Sequence, residues 1–180
     1  MRKTAPVRAV ITGAPGAGKS TLLEELARRG INVMREVARD ILRDPGGMAL
    51  RRDNPDDFAR TMFEGELRGW SEAEERGGLT VFDRGFPDLI GFLHLEGCAV
   101  PPAISQACRT RRYEGPIFRA PPWRATYRRD EERIQNWEEA VASDQAICAA
   151  WRASGYRLVD LPLTTVAERV EFLLGHIGAA

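Results

Sequence analysis

Eight consecutive residues, Gly13-Ala14-Pro15-Gly16-Ala17-Gly18-Lys19-Ser20, follow the pattern G-x-x-x-x-G-K-[ST]. Glycines let such a turn point its backbone N–H groups inward, and a following helix N-terminus adds to that positive field. The loop is therefore expected to cradle the phosphates of ATP. Lys19 is expected to reach the β- and γ-phosphates. The Ser20 hydroxyl suits Mg²⁺, a hard cation that prefers oxygen. Thr21 is placed to meet the α-phosphate. Lys19 also stands apart by composition, because the only other lysine is Lys3 and the remaining basic charge is arginine.

Other polar residues fall where an open α/β sheet puts its chemistry, just past the ends of strands. Asp83-Arg84 follows the apolar run Leu79–Phe82. Asp83 is a candidate metal holder beside Ser20, or a candidate base, and Arg84 a candidate for holding an anionic acceptor. Glu36 and Arg39 follow a second short run. Glu36 suits an acceptor hydroxyl as base or ligand, and Arg39, one turn on, suits an anion. Arg124, Arg128, Arg129 and Arg133 cluster late in the chain. They are expected in a lid near residues 123–133, with Arg128 taken as the catalytic arginine that neutralises charge in transfer. The candidate catalytic set is thus Lys19, Asp83, Glu36 and Arg128. Each of these groups also has a bland reading, as a surface ion pair, a helix start or a solvated basic face. Arg109, Arg111 and Arg112 read as a solvated helix end. His94 and His176 read as structural.

The elements that must position these residues are legible as an alternation. Val7–Thr12 is a buried strand, and Ser20–Arg29 is a helix stopped by Gly30. Ile31–Met34 is a second strand, and Glu36–Arg43 a short helix stopped by Asp44-Pro45-Gly46-Gly47. Pro55 opens a long helix to Arg76, weakened by Gly65 and Gly69. Leu79–Phe82 is the third strand. Helices follow at Pro87–Glu96 and Ala103–Arg112, and a fourth strand starts at Pro116–Phe118. Glu131–Trp151 is amphipathic, with its tryptophans expected in the core. Tyr156–Leu161 is the fifth strand, and Thr164–Ile177 the closing helix. Strands alternating with helices imply a parallel sheet covered on both faces.

The chain has 180 residues, 43% hydrophobic and 29% charged, with zero formal net charge. One domain over 1–180 is expected. No global basic field points to nucleic acid. Cys98, Cys108 and Cys148 are odd in number and show no CxxC spacing, which argues against a zinc or disulfide framework; Cys98 and Cys148 read as core fillers. No run approaches a spanning segment and the N-terminus lacks a signal-peptide pattern, so a cytoplasmic location is expected. The guanine-reading Asn-Lys-x-Asp motif is absent, which favours ATP over GTP.

Gly13–Ser20, Glu36-Val37-Ala38-Arg39, Phe82-Asp83-Arg84-Gly85, Pro121-Pro122-Trp123, Tyr127–Arg133 and Gly155-Tyr156 to Pro162 occur in the same order in a group of P-loop proteins. By these motifs the chain resembles AAA-domain ATPases similar to the ribosylnicotinamide kinase domain of NadR. The resemblance spans nearly the whole chain. It implies the nucleoside- and nucleotide-kinase branch, with Asp83-Arg84 similar to the Asp-Arg of thymidylate kinases. It also implies a lid over Tyr127–Arg133 and a turn near Leu161-Pro162 beside the adenine. The chain is too short to include the helical lid domain of AAA+ motors, and it has no separate sensor motif.

The expectation is a three-layer α/β/α fold with a five-stranded parallel sheet, ordered 2-3-1-4-5 by analogy with nucleoside monophosphate kinases. The expected function is ATP- and Mg²⁺-dependent phosphoryl transfer to a small molecule. The alternative is an ATPase acting as a nucleotide-dependent switch for a protein partner.

Overall fold

The computed structural model describes residues 4–125 and 136–178. The Arg128, Arg129 and Arg133 assignments, and most of the expected lid, lie outside these residues. The chain runs β1 (Pro6–Gly13), α1 (Lys19–Arg28), β2 (Asn32–Met34), α2 (Val37–Arg43), α3 (Gly47–Asp53), α4 (Pro55–Arg76) and β3 (Gly78–Asp83). It continues with α5 (Phe86–Leu95), α6 (Pro102–Thr110), β4 (Ile117–Ala120), α7 (Trp137–Ala153), β5 (Leu158–Asp160) and α8 (Val166–Gly178). The five strands form one sheet of order β2-β3-β1-β4-β5. Every pairing is parallel.

Side-chain alternation along the central strands divides the core in two. Val10, Phe82 and Ile117 face one side, where Phe58, Phe86, Leu93, Ile104 and Trp151 pack. Ala9, Ile11, Val81 and Phe118 face the other, against Leu22, Leu26, Val170 and Leu173. Strands buried on both faces read as continuous apolar runs, which is why β1 and β3 stand out in the sequence. Arg8 is the exception within β1. It is 1% exposed, stacks on Trp70 at 3.9 Å and pairs with Glu74 and Glu114, so its charge is matched.

Local chemistry sets several boundaries. Asn54 accepts a hydrogen bond from the Asp57 amide and Pro55 fills the first turn, which starts α4. Asn136 and Glu139 form a reciprocal cap that starts α7 at Trp137, later than Glu131. Trp151 is fully buried as expected, but Trp137 is half-buried under the Arg124 guanidinium, 4.9 Å away. Cys98 is also only half-buried, whereas Cys108 and Cys148 are buried.

The 44–69 stretch holds two features that periodicity does not show. Asp44-Pro45-Gly46-Gly47 stops α2 as expected, and a further helix, α3, follows at once. Its seven residues are too few for a periodic stripe to show. A Cβ on Gly65 would lie 2.3 Å from Val37 Cγ1, so Gly65 is what lets α2 lie against α4.

Candidate functional site

The loop between β1 and α1 is built around backbone that only glycine accommodates well. Gly13 has φ 114°, and a Cβ there would lie 2.4 Å from the Ala120 carbonyl of β4. Gly16 and Gly18 also take left-handed angles. Gly18 is the N-cap of α1, and no side chain caps its amides. The first turn of α1 therefore has free N–H groups facing the loop, the arrangement that binds phosphate.

Lys19 opens the helix and folds back onto the loop, donating to the Ala14 carbonyl at 2.8 Å and the Gly13 carbonyl at 3.4 Å. Burial pushes its ammonium down to about 8, and Arg84 adds in the same direction; Asp83, Glu36 and Asp88 oppose. An anion at the loop would push it back up. From α8, Arg169 donates to the Ala17 carbonyl at 3.0 Å and braces the loop from behind. Sequence reasoning missed Arg169, a charge in the apolar stripe of α8 that is 2% exposed.

Arg84 has φ 80°, the one non-glycine among the described residues with a positive φ. That conformation costs roughly 1–3 kcal/mol and persists where surroundings over-determine it. Here Arg84 Nε donates to Glu36 at 2.6 Å, while one terminal nitrogen donates to Asp88 at 3.1 Å and the Gly13 carbonyl at 3.3 Å. Although burial raises Glu36, Arg84 and Lys19 outweigh it and hold the carboxyl at about 2. The strain thus swings the guanidinium over the end of the phosphate loop.

Asp88 is the hub of this arrangement and was missed in the sequence. It accepts from Thr12 Oγ1 at 2.6 Å, the Gly85 amide at 3.0 Å and Trp151 Nε1 at 2.9 Å, besides Arg84. Its signal was an acid four residues after Arg84, in the first turn of α5.

Asp83 ends β3, 4% exposed, with Oδ1 lacking any hydrogen-bond partner. Burial and the negative charge of Glu36 push it up to about 7. It shares a recess of about 80 Å³ with Ser20, Glu36 and Arg39. Among the described residues, no group of three or more His, Cys, Asp or Glu is arranged to hold a metal. The Ser20 hydroxyl and an orphaned Asp83 oxygen nonetheless fit Mg²⁺, which takes one or two protein oxygens and completes its shell with phosphate and water.

Beside the recess lies a cleft of about 820 Å³. Gly16, Gly18, Lys19, Ser20 and Thr21 form its middle, together with Glu36, Arg39 and Arg84. Trp123, Thr164, Thr165, Val166 and Arg169 line it as well, so the chain after β5 reaches the cleft through Thr164 and Thr165, with Leu161 and Pro162 outside its lining. A further part is apolar, lined by Phe58 and Met62 of α4 and Leu89 and Phe92 of α5. Glu66, one turn beyond Met62, also lines the cleft and was missed; its signal was a charge inside the apolar stripe of α4. Of the lid arginines only Arg124 is described. It is exposed, stacks on Trp137 and does not line the cleft.

A glycine-rich loop between the central strand and first helix of a parallel sheet, with an acid ending the adjacent strand, defines a P-loop nucleotide-binding protein. More particularly, the chain belongs to an AAA-domain family, whose model matches residues 8–169. A search of curated proteins returned no significant match. Among solved structures, the chain is similar to deoxyadenosine kinase from M. mycoides with its products dCMP and dCDP bound. The identity is 13% over 97% of this chain and 100% of that one, with a TM-score of 0.69. The same enzyme with bound dATP gives a TM-score of 0.67 at 13% identity, covering 96% of this chain and 100% of that one. NadR in complex with NR gives a TM-score of 0.70 at 17% identity, covering 96% of this chain and 51% of NadR. At these identities the likeness is one of fold, the five-stranded parallel sheet with helices on both faces. Among the described residues no helix is long and apolar enough to cross a membrane.

Proposed function

We propose that this protein transfers the γ-phosphoryl group of ATP to a hydroxyl of a small molecule of nucleoside type. The observation that carries the reading is the extent of the cleft. It continues from the phosphate loop past Glu36, Arg39 and Arg84 into an apolar chamber, space that hydrolysis alone does not require. The kinase-like fold supports it, as do the nucleosides and nucleotides bound by the similar structures.

In this reading the loop amides and Lys19 hold the triphosphate, and Ser20 and Asp83 would hold Mg²⁺, which would supply positive charge against the transferring phosphates. Glu36 faces both the recess and the cleft, so it accepts a hydrogen bond from the acceptor hydroxyl and orients its oxygen. The new bond joins that oxygen to the γ-phosphorus as the bond to the bridging oxygen of ADP breaks. The acceptor proton leaves toward Glu36 or the product phosphate. Arg39 and Arg84 hold the acceptor, and Arg128 is assigned to the moving charge. Most of the catalysis is positioning and electrostatics.

The test is ADP release from Mg-ATP, alone and against a panel of nucleosides, nucleotides and vitamin-like alcohols, with products weighed by mass spectrometry. A compound that speeds release and gains one phosphate establishes the kinase and its substrate class. Slow release that no compound stimulates overturns it in favour of a nucleotide-dependent ATPase switch acting on a protein partner.

A further inference from the structure

Glu66 is a carboxyl that the phosphoryl-transfer scheme leaves unused. α4 presents Phe58, Met62 and Glu66 at intervals of four residues, on one face. Glu66 is 7% exposed, and its residual exposure is to the cleft. Among the described residues it makes no hydrogen bond and no ion pair, unlike Asp88 and Glu36 nearby. Phe58 and Phe92, with ring centroids 5.5 Å apart, belong to the same apolar end of the cleft. A polar group held in apolar surroundings without a partner costs stability, so it persists where a ligand supplies the partner.

Burial decides its protonation, and the charges around it add to the shift. Asp88, Asp83 and Glu36 add negative potential, with Arg84 opposing, and Tyr113 is also close. Burial is the largest effect, and together they push Glu66 up to about 8. The neutral form has both an O–H donor and a carbonyl acceptor side by side.

We propose that Glu66 selects the acceptor by pairing its carboxyl with an edge that carries an N–H donor beside a hydrogen-bond acceptor. The amino-ring edges of adenine and cytosine have that pattern. The flat body of such a ring would lie against the apolar wall of Phe58, Met62, Leu89 and Phe92. The inference rests on the kinase reading for the word acceptor, but the binding it describes is measurable without catalysis. A buried hydrogen-bonding group rejects analogues that leave it unpaired, so Glu66 would act as a specificity determinant.

The experiment is calorimetric binding of adenosine, 2′-deoxyadenosine, 2′-deoxycytidine and purine riboside to the full chain without ATP. Purine riboside lacks the 6-amino donor. Adenosine or deoxycytidine is expected to bind, with purine riboside weaker by about tenfold or more. In Glu66→Gln, whose amide keeps a donor and an acceptor, affinity should stay within about threefold. In Glu66→Leu it should fall by about tenfold to 100-fold. Unchanged affinity in Glu66→Leu, or equal binding of adenosine and purine riboside, overturns the proposal. So does loss of binding in a folded Glu66→Gln, which would make the recognised group a cation. Failure of every probe to bind the unaltered protein overturns the ligand class. The comparison of adenosine with purine riboside needs no variant and survives a folding defect in either one. Binding as expected without phosphorylated product in Mg-ATP sinks the kinase reading and leaves the role of Glu66 standing. Phosphorylation of an acceptor with no such edge does the reverse.

Discussion

Three acids near the phosphate loop illustrate how environment sorts identical chemistry. Glu36 is held at about 2 against the pull of burial, chiefly by Arg84, while Asp83 is pushed to about 7 and Glu66 to about 8, chiefly by burial. Glu36 therefore stays ionised, while Asp83 titrates near neutrality. Lys19→Ala should abolish tight ATP binding in a direct titration; unchanged affinity would remove the loop from the scheme. Asp83→Ala should lower turnover far more than ATP affinity, and equal losses would make Asp83 a binding or folding residue. Glu66 gives a stability prediction with a definite sign. Unfolded, it loses its proton near 4.5; folded, it keeps it to about 8. Between those values the folded state binds more protons, so rising pH erodes stability by at most about 1.4 kcal/mol per pH unit. Above about pH 8 both states are ionised and this contribution stops changing. The melting-temperature advantage of Glu66→Gln over the unaltered protein should therefore grow from about pH 5 to about pH 8. A constant difference would show that Glu66 titrates normally.

At the scale of elements, the site depends on where α2 lies against α4. α2 carries Arg39, and Glu36 stands at its N-cap. Gly65 allows the approach because Val37 Cγ1 occupies the space a Cβ would need. Gly65→Ala should destabilise the protein by about 1–3 kcal/mol by overpacking and should displace Glu36 from Arg84. Paired with Val37→Ala, most of that loss should return. A double-mutant cycle with no coupling would mean the two helices do not meet there. The same reasoning explains Arg84. Its left-handed backbone is tolerable because α5 supplies Asp88 and the Glu36 carboxylate waits on the other side.

For the whole molecule, the phosphate loop, recess and cleft are walls of one binding region drawn from both halves of the sheet. A ligand that spans them stabilises the folded chain by mass action. Mg-ATP at about 100 times its dissociation constant should add about 2.7 kcal/mol, read as a rise in melting temperature. ATP with a chelator should give a clearly smaller rise. Equal rises would remove the metal role assigned to Ser20 and Asp83.

The phosphate loop and the alternation of strands and helices could be anticipated from the chain alone, whereas the strand order came from the resemblance to nucleoside monophosphate kinases. The causes of the first two are local: glycine conformations, apolar runs and caps written over spans of a few turns. The pairs Glu36/Arg39 and Asp83/Arg84 were legible as candidates because strand ends mark the open edge of such a sheet. Their connection was not, since Glu36 and Arg84 are 48 residues apart and Arg169 reaches Ala17 from 152 residues away. Only the folded chain turns Asp88 into a hub and strands Glu66 without a partner. Burial and charge proximity are sums over neighbours that the order of residues does not contain.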